Sequence, residues 1–190
     1  MQQAGIIMMA RRNLLKAAAV AVAIAATATT ASAATQGSLG STSTGSVSIS
    51  ASIPSRVRIS GLSDVAFSNV DPSLDAANAQ NVCVWSNTST KGYRITASGS
   101  GAANAFTLAN AALVVPYTVE WSGTSGQSVG TALTAGSALT GLTSTATNAN
   151  CASGPSTSAS LIVKIAAADL QGMNAATNYT GTLTLLVAPE

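Results

Sequence analysis

Between Ser46 and Ile53 the chain alternates strictly, with Val47, Ile49, Ala51 and Ile53 on one parity and Ser46, Ser48, Ser50 and Ser52 on the other. Successive side chains of a strand point to opposite faces, so a period of two with branched apolar residues predicts a half-buried β-strand. Pro54 ends the run because it has no N–H to give to a ladder. Arg56–Ile59 alternates again, and further strand candidates are Asp64–Val70 before Asp71-Pro72, Asn81–Ser86 and Gly92–Ser98. Ala105–Leu108, Ala112–Ser122, Leu161–Ile165 and Thr180–Val187 follow. Asn81–Ser86 and Gly92–Ser98 read as neighbours joined by the polar Asn87–Lys91 turn, and Pro116 assigns its run to an edge or a bulge. Residues 124–160 are rich in Gly, Ser, Thr and Ala and read as loops with one or two weak strands, pinned by Cys151. A helical period is not sustained over eleven residues anywhere; Ala166–Leu170 reads as a single turn. Many short strands separated by turn residues predict an all-β chain, an antiparallel β-sandwich.

The N-terminus reads as an export signal. Arg11, Arg12 and Lys16 form a basic region, Ala17–Ala28 is a short apolar run, and Ala31-Ser32-Ala33 is an A-x-A cleavage pattern. The run is shorter than the roughly 20 residues a membrane-spanning helix needs. The Arg11-Arg12 pair also fits a twin-arginine signal, so the general secretory and twin-arginine routes both stay open. The domain plan is therefore a signal peptide over 1–33, a small, polar leader with the alternating segment over 34–54, and a β-sandwich over 55–190. Removing 1–33 leaves five bases, Arg56, Arg58, Lys91, Arg94 and Lys164, against six acids, so the whole-chain charge of +2 belongs to the signal. Cys83 and Cys151, the two cysteines of an exported chain, read as one disulfide.

Composition narrows the chemistry. There is no His, and only 7% of residues are charged. The usual general base and the commonest metal ligand are absent, and a basic nucleic-acid face is not provided. Neither Lys91 nor Lys164 stands in an S-x-x-K pattern. Asp71 and Asp75 could pair as carboxylates but read as turn acids. Asn87-Thr88-Ser89 and Asn178-Tyr179-Thr180 match the glycosylation pattern and are read as coincidence. Trp85 and Trp121 read as packing residues, not as a sugar-stacking platform. No enzyme activity, no cofactor and no metal site are expected.

The chemistry-bearing feature is then the alternating segment itself. An extended strand behind a loose leader can add to the sheet edge of another molecule, where backbone bonds give affinity and alternate pockets give register. It can equally fold back as the first strand of its own sandwich, and the pattern does not choose between the two.

The chain resembles pilins of the chaperone–usher systems, in the archaic and alternative branches that include spore-coat-protein-U-like subunits. The likeness spans about Gly45–Val187. It is carried by Val47-Ser48-Ile49-Ser50-Ala51-Ser52-Ile53-Pro54, by Cys83-Val84-Trp85-Ser86 with Lys91-Gly92-Tyr93-Arg94-Ile95, by Val115-Pro116-Tyr117-Thr118-Val119-Glu120-Trp121 and by Asn178–Val187. It departs from many such subunits in having no Cys near residue 34 and in the tail Ala188-Pro189-Glu190. The resemblance implies an incomplete immunoglobulin-like sandwich, completed by donor-strand exchange. Val47, Ile49, Ala51 and Ile53 would be the donor plugs, Leu183, Leu185 and Val187 would line the acceptor groove, and Cys83–Cys151 would staple the domain. Its implied partners are other pilin subunits in a homopolymer, a periplasmic chaperone, an outer-membrane usher and a host or abiotic surface. Its implied place is the periplasm during assembly and then the cell surface. The rival expectation is a self-complete secreted β-sandwich that acts as an adhesin or polysaccharide-binding module; a hydrolase is disfavoured by the missing His.

Overall fold

The computed structural model describes residues 33–190. The proposed signal region, Ala33 apart, lies outside them. Two units separate between Ala51 and Ser52. In the first, residues 33–51 are exposed and form no strand, and Thr35 and Ser46 exchange two backbone bonds of 2.9 Å. The strand expected over Ser46–Ile53 is not formed, since beyond Ser46 these residues have no ladder partner to satisfy their backbone.

The second unit, from Ser52, is an antiparallel β-sandwich. Its strands are β1 (Val57–Ser60), β2 (Ala76–Ser86), β3 (Gly92–Gly99), β4 (Thr107–Asn110), β5 (Leu113–Pro116), β6 (Thr118–Ser122), β7 (Thr131–Ala132), β8 (Ala138–Thr143), β9 (Ala159–Ile165) and β10 (Leu183–Pro189), with one short helix, α1 (Ala167–Gln171). A five-stranded sheet runs β1-β2-β9-β6-β7, a three-stranded sheet runs β10-β3-β8, and β4 pairs with β5. The weak strands expected in 124–160 are β7 and β8, and the expected single helical turn is α1.

Three further expectations are corrected. β2 and β3 are not hairpin partners but belong to opposite sheets. Val82 and Val84 of β2 and Tyr93 and Ile95 of β3 all join one core, so the Asn87–Lys91 turn makes an arch between layers. Side-by-side and face-to-face strands share the same alternation, and the pattern could not tell them apart. The run 64–70 is no strand; Gly61 (φ 78°) follows β1 where the ladder ends, although Val65 and Phe67 still pack on the core. Finally, Ala112–Ser122 is two strands, broken between Pro116 and Thr118.

The core is centred on Trp121 of β6, whose Nε1 donates to the Tyr93 hydroxyl on β3 at 3.1 Å and so ties the two sheets together. Burial raises the Tyr93 pKa, against a smaller lowering from the Trp121 bond. Gly130 lies against the Trp121 backbone, where an added Cβ would come within 2.6 Å, so only glycine fits there. Cys83 and Cys151 are disulfide-bonded, and Ala146 and Trp85 pack around them on β2's other face. Buried serines complete the ladder in this region: Ser158 Oγ accepts from Val84 N at 2.8 Å and donates to Val84 O, to which Ser144 Oγ also donates.

Candidate functional site

Between the sheets, beside β10, the sandwich is open. A groove of about 640 Å³ is lined on one rim by Leu62–Ser68 and Val70, on the other by Thr177–Leu183 and Leu185, and at its base by Leu161, Val163 and Ile165 of β9. Asp64 is the one charged residue in this lining among the described residues. The groove arises because β2 has β1 beside it only at Cys83–Ser86. Farther along, at Gln80, the chain after β1 is held by side-chain bonds, with Ser63 N and Oγ donating to Gln80 Oε1 and Gln80 Nε2 donating to Ser63 O.

β10 is an edge strand of the three-stranded sheet. Glu190 N donates to Gly92 O, which makes Glu190 and Gly92 a hydrogen-bonded pair. Such pairs alternate along an antiparallel ladder. Ala188, Leu186 and Thr184, opposite Arg94, Thr96 and Ser98, therefore turn their backbone groups toward β3. Leu183, Leu185 and Val187 turn theirs toward the unpaired edge. Pro189 falls on that same side, so its missing N–H interrupts nothing within the sheet. The burial pattern agrees: Leu183, Leu185 and Val187 are half-buried against the core, while Thr184 and Leu186 are exposed.

Of the sequence-predicted acceptor residues, Leu183 and Leu185 line the groove and Val187 packs on the core farther along the same strand. The predicted donor residues lie in no strand. Val47, Ile49 and Ile53 are 72%, 91% and 81% exposed, and Ala51 is exposed too. The disulfide forms as expected. Sequence reasoning missed the opposite rim. The alternation of Val65 and Phe67 marked an inward-facing stretch, but nothing local indicated that it would lack a ladder partner.

Other polar groups are committed to local partners. Asp71 accepts from Ser73 N and Oγ, which lowers its pKa. Asp75 accepts from Ala167 N at the start of α1. Glu120 holds Lys164 at 2.6 Å, and that bond keeps its carboxyl below the ordinary range. Among the described residues no three His, Cys, Asp or Glu side chains gather as a metal site, and no helix is long and apolar enough to span a membrane. What the groove offers chemically is a mixed surface, with the apolar side chains of Val65, Phe67, Leu161, Val163, Leu183 and Leu185 among Ser, Thr and Asn, beside a row of unpaired backbone donors and acceptors, and an unpaired strand edge of this kind can take up an extended strand.

No protein-family model matches the chain, and no curated protein matches it. A solved structure of a chaperone–tip adhesin complex, described as vital for synergistic activation of CFA/I fimbriae biogenesis, is similar at TM-score 0.45 and 15% identity. The match covers 70% of this chain and 41% of that one, so this chain spans about two fifths of the neighbour's length.

Proposed function

We propose that this protein is a structural, non-catalytic subunit of an extracellular fimbria, polymerised by strand donation. The observation that carries this is the open groove alongside the edge of β10 that presents Leu183, Leu185 and Val187. The occupant is residues 47–53 of a second copy. Those residues leave their apolar parity in water, and an exposed row of large apolar side chains is unfavourable unless something covers it. Burying Val47, Ile49 and Ile53 would contribute about 1.5–3 kcal/mol each, in addition to ladder bonds with the three edge residues. An open, edge-presenting groove is also an aggregation hazard, which is the physical reason for a periplasmic chaperone to hold the subunit until an outer-membrane usher exchanges it for the next donor.

The test compares the full chain, a chain lacking 34–53 and Ile49→Asp, by size-exclusion chromatography and electron microscopy. The full chain is expected to form polymers that neither variant forms, with the folded domain retained in both. Polymers of unchanged yield from either variant, or a full chain that stays monomeric without a chaperone, would overturn the assignment.

A further inference from the structure

The turn that follows β2 carries a side chain with no part in the groove. The β1–β2 register ends at Val57 opposite Ser86. One step beyond, Asn87 N donates to Arg56 O at 3.1 Å. The return bond from Arg56 N goes to Asn87 Oδ1 at 2.6 Å rather than to a main-chain carbonyl. The backbone has by then begun its turn toward Lys91, which has φ 54° and donates its N–H to Thr88 O. The other end of the same amide, Nδ2, donates to Pro54 O at 2.9 Å. One residue thus holds 54–56 in line with β1 through three bonds. Its base is itself held, since Ser86 Oγ donates to Gly92 O and Gly92 N donates to Thr90 Oγ1. Both ends of the Asn87 amide are occupied, so the Asn87-Thr88-Ser89 sequence has a structural use that needs no glycan.

We infer that Asn87 is a positioning residue that keeps the root of the donor segment extended, and so directs that segment to another molecule's groove and away from its own. This rests on the donor-strand function proposed above. Gly92 O takes both the Ser86 hydroxyl and Glu190 N, so the first residue of β1 and the last of β10 stand at the same end of the sandwich. The groove lies past the far end of β1, along Leu185 and Leu183 of β10 and beside the chain from Leu62 onward. A segment preceding β1 can enter its own groove only by reversing direction within 54–56. Such a reversal would be strongly favoured by mass action, because a short tether gives an effective concentration in the millimolar range. Pro54 is also a residue type that turns accommodate readily. Self-capping would then outcompete chain growth. The three Asn87 bonds oppose it by fixing the backbone where the turn would have to form.

The full chain is refolded from denaturant alongside Asn87→Asp, Asn87→Ala, and Asn87→Ala combined with Ile49→Asp, all at equal concentration. Sedimentation velocity measures polymer and monomer. Asn87→Asp keeps the Oδ1 acceptor and loses the donor to Pro54, whereas Asn87→Ala loses both side-chain bonds. Each lost bond is expected to raise the turn-competent population about fivefold, so monomer increases in the order parent, Asp, Ala. The added Ile49→Asp is expected to abolish the extra thermal stability of the self-capped Ala monomer. An Asn87→Ala polymer-to-monomer ratio equal to the parent's, or a monomer indifferent to Ile49→Asp, overturns the role of Asn87 while leaving strand donation standing. A parent that forms no Ile49-dependent polymer overturns strand donation itself, and the positioning role with it. If Asn87→Ala does not fold, the Asp variant decides alone by the same ratio.

Discussion

The two flanks of β2 satisfy the same physical demands in different ways. On the β9 side, where β2 outruns its partner strand, Ser158 and Ser144 supply the missing ladder bonds and the Cys83–Cys151 disulfide covers the outer face. On the β1 side, the chain leaves the ladder at Gly61 and passes the groove hydrogen-bonded through the Gln80 side chain and packed through Val65 and Phe67, with no ladder partner among the described residues. The first region is finished within the molecule. In the second, apolar side chains line open space next to an unpaired strand edge. A chain able to complete one flank with two serines and a disulfide has not done so on the other, and the proposed docking of a second copy rests on this contrast more than on the groove's size.

The contrast can be broken by mutation, beginning at the finished core. Trp121→Ala removes a fully buried indole and leaves the Tyr93 hydroxyl without its partner; the expected loss is about 5 kcal/mol, the upper end for buried aromatics, read from urea midpoints. Replacing Cys83 and Cys151 together by Ser opens a loop of 68 residues, and chain entropy gives a loss of roughly 4 kcal/mol, checked in the same titration with and without reductant. Leu185→Ala, on the open side, is expected to cost the isolated domain only about 1–2 kcal/mol, because its side chain is half-buried and borders space that is already empty. Its larger effect should appear as weaker capture of a peptide of residues 46–54, measured by calorimetry. A Leu185→Ala loss as large as that at Trp121 would mean the groove is a closed core.

The smallest effect sharpens the electrostatic side of the comparison. Glu120→Gln weakens the bond to Lys164 and should cost about 0.5 kcal/mol at neutral pH, as surface pairs do. The folded carboxyl lies below its ordinary value of 4.5. The pair's contribution is thus fully present above that value and is lost as the pH falls through the folded pKa. The difference between parent and variant urea midpoints should shrink to nothing on acidification. A difference that grew on acidification would contradict the assignment of the Lys164 bond as the cause.

Much of this architecture was legible in the residues alone. Alternation located β1 and β3 almost to their ends, because a strand with one face on a core must repeat every two residues; β9 is buried on both faces and has no such period. Leu183, Leu185 and Val187 were singled out through the resemblance to pilins, and the presence of just two cysteines left a single pairing open. Local pattern says which way a side chain points but not what lies beside the backbone. Whether β3 sits next to β2 or across the core from it, and whether Val65 and Phe67 belong to a ladder, are questions of long-range pairing. They are decided by how the loops return the chain, and only the folded sandwich, with β10 left at an edge and Asn87 holding 54–56 in line, answers them.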